Sequence, residues 1–162
     1  LKPVRGILGD ISHVSNGNLR RAVFLLELLA KRKKLHDRKN LQTVIAATTL
    51  VGVQQVLEEA LRGRVHDWRW EKKAGRNKRV LKGAMGALDQ LMNEHALEAE
   101  DVVLHIHRLL TTGRLLLEET MLFDLLDALA ICDVKLQTSK HGRIQLEEFL
   151  HRVKEIASSQ TV

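Results

Sequence analysis

The chain has 162 residues, of which 44% are hydrophobic, 28% are charged and 3% are aromatic, and its formal net charge is +6. These values predict a soluble globular protein that is long enough to bury a core, in one domain or two small ones. No apolar run approaches the roughly 18 residues that cross a bilayer, and no signal-peptide pattern is present. The single Cys132 excludes an internal disulfide and favours a reducing compartment. Because the chain begins at Leu1 rather than Met, we expect a fragment or a processed product.

The charge is distributed unevenly along the chain. Residues 1–82 carry 19 Lys and Arg against seven Asp and Glu, a net charge of +12, whereas residues 83–162 carry seven against 13, a net charge of −6. Such asymmetry indicates either that the first half faces a polyanion or an acidic neighbour, or that its helices have solvated basic faces.

The first predicted elements are two short amphipathic helices. A helix over about 6–14 precedes a stronger one, in which apolar residues recur at steps of three and four. Ser15 or Asn16 is the expected N-cap of the second helix. The first turn of that helix carries Arg20 and Arg21, although the helix dipole disfavours positive charge there. The pair therefore predicts either an anion near the helix start or two solvated side chains.

The middle of the chain gives weaker signals than its ends. Residues 41–61 begin with β-branched residues that suit helix or strand, and they end in a helical pattern. Residues 62–79 are the most polar stretch and contain both tryptophans, which indicates a surface connection, and a helical stripe resumes over 77–96. Three further helices are predicted, over 98–110, 117–131 and 143–157. Because strands and helices do not alternate, the predicted fold class is all-α, a bundle of six or seven helices.

The sequence lacks the common motifs of nucleotide-binding and metalloprotease sites. It has no phosphate-binding loop, no dinucleotide-binding fingerprint and no H-E-x-x-H pattern. His105 and His107 are two residues apart and point about 200° apart on a helix, so we expect no shared metal ion. Cys132 is interpreted as a core residue, and Asp124 and Asp127 as exposed acidic residues. The sequence therefore predicts no catalytic residue and no metal site.

Two segments resemble the clamp-loader ATPases of the AAA+ class. The stretch SNGNLRRAVFLLE, residues 15–27, resembles the S-x-G-[DN]-[LM]-R-R-A-x-x-L-L pattern that opens their last lid helix. The stretch DVKLQTSKHGRIQLEEFLHRV, residues 133–153, resembles the R-I-Q-L-E ending of archaeal replication factor C small subunits. Between them, VQQVLEEALRG and EHALEAEDVVLHIHRLL follow the order of that family's collar helices. The resemblance is to the C-terminal part of a replication factor C small subunit.

This resemblance implies two parts with different roles. Residues 1–40 would end the AAA+ lid domain, and residues 41–162 would form a five-helix collar domain that holds subunits in a ring. The family's ATPase core lies N-terminal to such a lid. The chain alone is therefore not expected to be an enzyme or to hold a cofactor, whereas ATP, Mg²⁺ and AAA+ ATPase activity are implied for the full-length protein. Arg20 matches the family's sensor-2 arginine, which contacts nucleotide phosphate, and Arg21 is expected to form a structural ion pair.

The resemblance also implies partners, a location and a collar motif. The partners would be other small and large loader subunits in a pentameric ring, including copies of this chain in a homo-oligomer. The full complex would reach the sliding clamp and primer–template DNA, with no membrane involved. The location would be the cytoplasm or nucleoid of an archaeon, or the nucleus of a eukaryote. Arg143, Gln145 and Glu147 match the collar motif, whereas Gly142 stands later than the family's glycine, which falls near 138–140.

Residues 63–79 depart from the family pattern because they form a longer connection than is usual there. Three roles remain open for this segment: contact with DNA phosphates and an unpaired base, docking on an acidic neighbouring subunit, or a disordered loop. The residues concerned are Arg64, Trp68, Arg69, Trp70, Lys72, Lys73, Arg76, Lys78 and Arg79.

Apolar residues between 115 and 131 occupy more than one side of a helix, which predicts either an interface or a crowded core. They are Leu115, Leu116, Leu117, Leu122, Phe123, Leu125, Leu126, Leu129 and Ile131.

An alternative function also remains open: a basic helical DNA-binding or adaptor domain unrelated to clamp loading. A DNA-binding domain would be monomeric or dimeric, with an affinity that falls steeply with salt.

Overall fold

The computed structural model describes residues 6–15, 19–31, 38–73, 75–93 and 97–160. Within these ranges it contains seven helices and one antiparallel pair of strands. In chain order the elements are α1 (Ile7–Ser15), α2 (Leu19–Lys31), α3 (Arg38–Leu61), β1 (Asp67–Lys73), β2 (Arg76–Lys82), α4 (Gly83–Asn93), α5 (Ala99–Thr111), α6 (Glu119–Thr138) and α7 (Gly142–Ser159). The predicted predominance of helix is confirmed. None of the described helices combines the length and the apolar character needed to cross a bilayer.

Helices α1 and α2 pack against each other around a small apolar cluster of their own. Its fully or almost fully buried members are Ile7, Ile11, Leu25 and Leu29. Ser15 ends α1, and its hydroxyl donates a 2.6 Å hydrogen bond to the carbonyl oxygen of Ile11. The predicted role of Ser15 as N-cap of α2 is therefore wrong, and Asn16 lies outside the described residues.

The main core lies among helices α3 to α7. The segment 41–61, whose first part was ambiguous in the sequence, is helical throughout, and its residues from Leu50 to Leu61 contribute one apolar side to this core. Several of the largest side chains here are almost completely shielded from solvent: Leu57, Met85, Leu88, Leu91, Ile106, Leu109, Leu125, Leu146 and Phe149. Burial of this many apolar side chains is the main force that holds the five helices together.

The hairpin of β1 and β2 corrects the prediction of a strand-free all-α fold, and it occupies most of the predicted surface connection over 62–79. Seven residue pairs run from Asp67 opposite Lys82 to Lys73 opposite Arg76. Gly75 has a φ of +78°, a value that a tight turn between two strands accommodates most easily as glycine. The segment is polar overall, but Trp68 and Trp70 occupy alternating positions in it. Aromatic residues at alternating positions favour a strand.

Helix α4 begins later than the predicted start at residue 77, because Val80 and Leu81 belong to β2. Gly83 opens the helix with a φ of +72°, and a Cβ at this position would collide with the carbonyl oxygen of Arg64. That same oxygen accepts a 2.9 Å hydrogen bond from the Ala84 amide. A close backbone contact with Arg64, in the turn that follows α3, therefore accompanies the change from strand to helix at this point.

The last three helices lie close to their predicted positions. The main difference is that α6 extends to Thr138, past the predicted end at residue 131. A Cβ on Gly142, the first residue of α7, would lie 2.6 Å from the Cβ of Ala99. This glycine consequently permits close packing between the starts of α5 and α7.

Candidate interaction surfaces

The two arginines in the first turn of α2 differ in their surroundings. Arg21 donates from Nη1 to Oδ2 of Asp101 on α5 over 3.2 Å, so its predicted structural ion pair is confirmed. Arg20 is exposed, and in the part of the chain that the structure describes no carboxylate pairs with its guanidinium. The guanidinium of Arg20 is therefore available to bind an external anion, whereas Arg21 connects α2 to α5.

The hairpin has two chemically different faces. Alternation along β1 places Trp68, Trp70 and Lys72 on one face, with Arg79 opposite Trp70 on the same face. The Cζ atom of Arg79 lies 4.9 Å from the ring centroid of Trp68, a cation–π contact. Trp70 is 72% exposed. We call this the tryptophan face of the hairpin.

The remaining basic candidates are divided between ion pairs and the opposite face. Arg64 forms two 2.7 Å hydrogen bonds with Glu59, and they lower the pKa of that carboxyl group. Arg69 donates from Nε to Asp67 over 2.8 Å, which lowers the pKa of Asp67 in the same way. The register puts Arg69, Arg76 and Lys78 on the face opposite the tryptophan face, and the side chain of Lys73 lies outside the part that the structure describes. The nine residues therefore do not form one continuous basic surface.

The residues of the collar motif link α7 to other parts of the main core. Arg143 donates to both carboxylate oxygens of Asp89 on α4, from Nε over 2.6 Å and from Nη2 over 3.2 Å. Its Nη1 lies 3.4 Å from Oε2 of Glu147. Gln145 donates from Nε2 to the Ser139 hydroxyl over 3.4 Å, across the turn between α6 and α7. In this structure the motif residues position α7 within the main core.

Helix α6 divides its apolar residues between the core and the surface. Leu125 and Leu129 are buried, which agrees for these two residues with the crowded-core alternative. Phe123, Ile131 and Val134 are 58%, 43% and 65% exposed. Their spacing of eight and three residues places them along one stripe of the helix. Of the other predicted residues, Leu116 is exposed, and four pack partly buried against the core: Leu115, Leu117, Leu122 and Leu126.

One polar cluster was missed by the sequence analysis. His66, which directly precedes β1, lies beside Glu147 and His151 of α7, and one possible ligand atom from each lies within 4.8 Å of the others. The spacing of four residues between Glu147 and His151 was visible in the sequence. The contribution of His66 was not, because Glu147 and His151 lie more than 80 positions later in the sequence.

Two individual predictions about single side chains are confirmed. His105 is half-buried and His107 exposed, as expected for residues on different sides of α5. Burial, followed by the charge of Arg108, lowers the pKa of His105. Cys132 is buried, and burial, reinforced by the charge of Glu148, raises the pKa of its thiol to about 11.

Comparisons with protein-family models, curated proteins and solved structures returned no match to this chain.

Proposed function

We propose that this chain is the C-terminal region of a DNA sliding-clamp loader subunit of the replication factor C type, with the end of an AAA+ lid at 1–40 and a collar at 41–162. The collar holds neighbouring subunits together. In the lid end, Arg20 contacts the phosphates of an ATP molecule, which is bound mainly by an ATPase core outside this chain. The proposal starts from the resemblance of residues 15–27 and 133–153 to the lid and collar motifs.

The exposed apolar stripe of α6 is the observation that carries the assembly role. Phe123, Ile131 and Val134 lie on a helix whose other side already contributes Leu125 and Leu129 to the core. Removing apolar surface of this kind from water contributes roughly 25 cal/mol per Å². A second copy of the chain, or another loader subunit, that covers the stripe would gain this stabilisation. In a ring the contact is head-to-tail, so the stripe meets a different surface of its neighbour.

The surroundings of Arg20 support the nucleotide-sensing role. A guanidinium presents a planar set of donors that matches phosphate oxygens, and the start of a helix adds favourable partial charge. Arg20 stands at such a start, and Arg21 holds α2 against Asp101. Bound ATP would supply an anionic phosphate group at this position. The role of Arg20 is to bind that group and to link it to the position of α2.

The assembly role is tested by light scattering coupled to size-exclusion chromatography. The wild-type chain is expected to self-associate, in a concentration-dependent manner, or to join a ring with other loader subunits. Phe123→Asp is expected to shift it to the monomer, because a charge in the stripe must be desolvated when the contact forms. The matched control is Asp124→Ala, a change at the neighbouring exposed position, which should retain assembly. A wild-type chain that stays monomeric alone and with every loader subunit contradicts the proposal.

The tryptophan face favours a second candidate function, binding of single-stranded nucleic acid. Trp68 and Trp70 offer stacking surfaces, and Lys72 and Arg79 place positive charge beside them. Aromatic stacking combined with backbone neutralisation is how many proteins bind single strands without sequence preference. This role is compatible with a loader subunit and equally with a DNA-binding domain unrelated to clamp loading.

This second function is tested with a fluorescently labelled thymidine oligonucleotide and anisotropy measured over a salt series. Trp70→Ala is expected to weaken binding by about five- to a hundredfold, since stacking contributes roughly 1–3 kcal/mol per base. Lys72→Ala should weaken binding more than Lys78→Ala, although the two changes remove the same charge, because Lys78 lies on the opposite face. Equal effects of the two lysine variants, together with unchanged affinity in Trp70→Ala, would exclude the tryptophan face as the binding surface.

A further inference from the structure

Two histidines and a glutamate converge where the hairpin meets α7. Nε2 of His66 lies 3.0 Å from Oε1 of Glu147. The rings of His66 and His151 are stacked, with centroids 5.3 Å apart and planes inclined by 28°. One nitrogen of each imidazole and one oxygen of Glu147 all lie within 4.8 Å of one another.

The backbone on both sides of this cluster is well anchored. Glu147 and His151 are four residues apart on α7, so they share one face of that helix. His66 follows the buried Val65, whose carbonyl oxygen accepts a 3.1 Å hydrogen bond from the Met85 amide. The positions of the three Cα atoms are therefore set by the main core.

A chain of ion pairs orients the carboxylate. Asp89 holds Arg143 through two hydrogen bonds, and Arg143 in turn contacts Oε2 of Glu147 over 3.4 Å. The other oxygen, Oε1, is the one that faces His66. Carboxylates that bind metal ions are commonly fixed by such a hydrogen bond to their second oxygen, which leaves the first oxygen for the ion.

From this geometry we propose that His66, Glu147 and His151 form a binding site for a divalent transition-metal ion, with Zn²⁺ as the best fit. Two imidazole nitrogens and one carboxylate oxygen suit Zn²⁺, whereas Mg²⁺ and Ca²⁺ prefer oxygen ligands alone. Bond lengths of about 2.0–2.2 Å place tetrahedral ligand atoms about 3.3 Å apart. The distance of 3.0 Å between Nε2 of His66 and Oε1 of Glu147 is close to this value, and the exposed His151 offers a ligand atom within 4.8 Å of both residues' ligand atoms.

The bound ion joins parts of the chain that are distant in sequence. It links His66, in the turn before β1, to Glu147 and His151 of α7, which lie more than 80 positions later, and it leaves a fourth coordination position for water. A site of this kind stabilises the base of the hairpin whether or not the chain functions in a clamp loader. Because the ion binds only the folded arrangement, its binding also stabilises the protein.

The experiment uses the whole chain, freed of metal by dialysis against a chelator. Co²⁺ is titrated in while its visible absorption is recorded, and Zn²⁺ is then added in competition. We expect one equivalent of Co²⁺ with a spectrum typical of tetrahedral coordination, displaced by Zn²⁺. His66→Ala, His151→Ala and Glu147→Gln should each weaken binding by at least about tenfold. His107→Ala, which changes an exposed histidine of α5, should leave it unchanged.

Thermal unfolding provides a second readout that also verifies folding. Zn²⁺ should raise the melting temperature of the wild type and of His107→Ala, but not that of His66→Ala, whose circular dichroism spectrum without metal should match the wild type. Two results would overturn the site: metal binding that survives in His66→Ala and His151→Ala, or binding that falls as much in His107→Ala as in those variants. The absence of stoichiometric Co²⁺ or Zn²⁺ binding to the wild type would overturn it as well.

Discussion

At the scale of single residues, burial decides the chemistry of Cys132. Its sulfur is enclosed between α6 and α7, where Sγ donates to the carbonyl oxygen of Gln145 over 3.5 Å. A thiolate in this position would be poorly solvated and would face the carboxylate of Glu148, so the pKa rises to about 11. The sequence alone led to the interpretation of a core residue, because Cys132 lies among apolar neighbours.

We therefore predict that Cys132 reacts slowly with thiol reagents in the folded protein. At pH 8 about one thiol in a thousand is ionised when the pKa is about 11, roughly a hundredfold fewer than in an unfolded chain. Reaction with an aromatic disulfide reagent should be at least about a hundredfold slower than in guanidinium. In the folded protein the rate should rise with pH until about pH 11. Equal rates in the folded and the unfolded protein would contradict this assignment.

At the scale of elements, the sequence predicted the amphipathic helices well and the hairpin not at all. Helices such as α5 and α7 have an apolar stripe with a period near 3.6, which depends only on local sequence. The hairpin contributes little to the core, and its polar strands give no comparable signal. Val80 and Leu81 misled the prediction because they fit a helical stripe by chance, whereas in the structure they pair with β1 and the helix starts only at Gly83.

A close approach between two helices gives a prediction for Gly142. Substitution by Ala adds a methyl group that would stand 2.6 Å from the Cβ of Ala99, too short for two carbon atoms, so α7 must shift. Gly142→Ala is expected to lower the free energy of unfolding by about 1–3 kcal/mol.

The control for Gly142 is Gly9→Ala in α1, where no described atom beyond the local helix backbone lies within 4 Å of the added Cβ. There Ala should be neutral or should stabilise the helix by roughly 0.5–1 kcal/mol, because Ala loses less conformational entropy than Gly on folding. Both variants are measured by urea denaturation followed by circular dichroism. A Gly142→Ala variant as stable as the wild type would show that the helices have room for the methyl group.

At the scale of the whole molecule, the contacts that the sequence could not predict are those between distant segments. Arg21 and Asp101 are 80 residues apart, and Arg143 and Asp89 are 54 apart. The sequence predicted an ion pair for Arg21 and a motif role for Arg143. Nothing in the local sequence pattern specified Asp101 or Asp89 as their partners. The cluster around His66 was missed for the same reason. Arg20 is the complementary case, since the resemblance assigned it a role before its lack of a carboxylate partner in the described part of the chain was known.

The two arginines of α2 should consequently respond differently to the same substitution. Arg21→Ala removes a partly exposed ion pair and is expected to lower the free energy of unfolding by at most about 1 kcal/mol. Arg20→Ala should leave stability unchanged, since no carboxylate among the described residues pairs with it.

Joined to the ATPase core that the proposed function requires, Arg20→Ala should reduce DNA-stimulated ATP hydrolysis about tenfold or more, because a hydrogen bond to a charged group contributes roughly 1.5–3 kcal/mol. Stability is measured by denaturation of this chain, and hydrolysis by phosphate release from the assembled loader. Wild-type hydrolysis in Arg20→Ala would rule out the sensing role while leaving the assembly role of α6 to be judged by its own test.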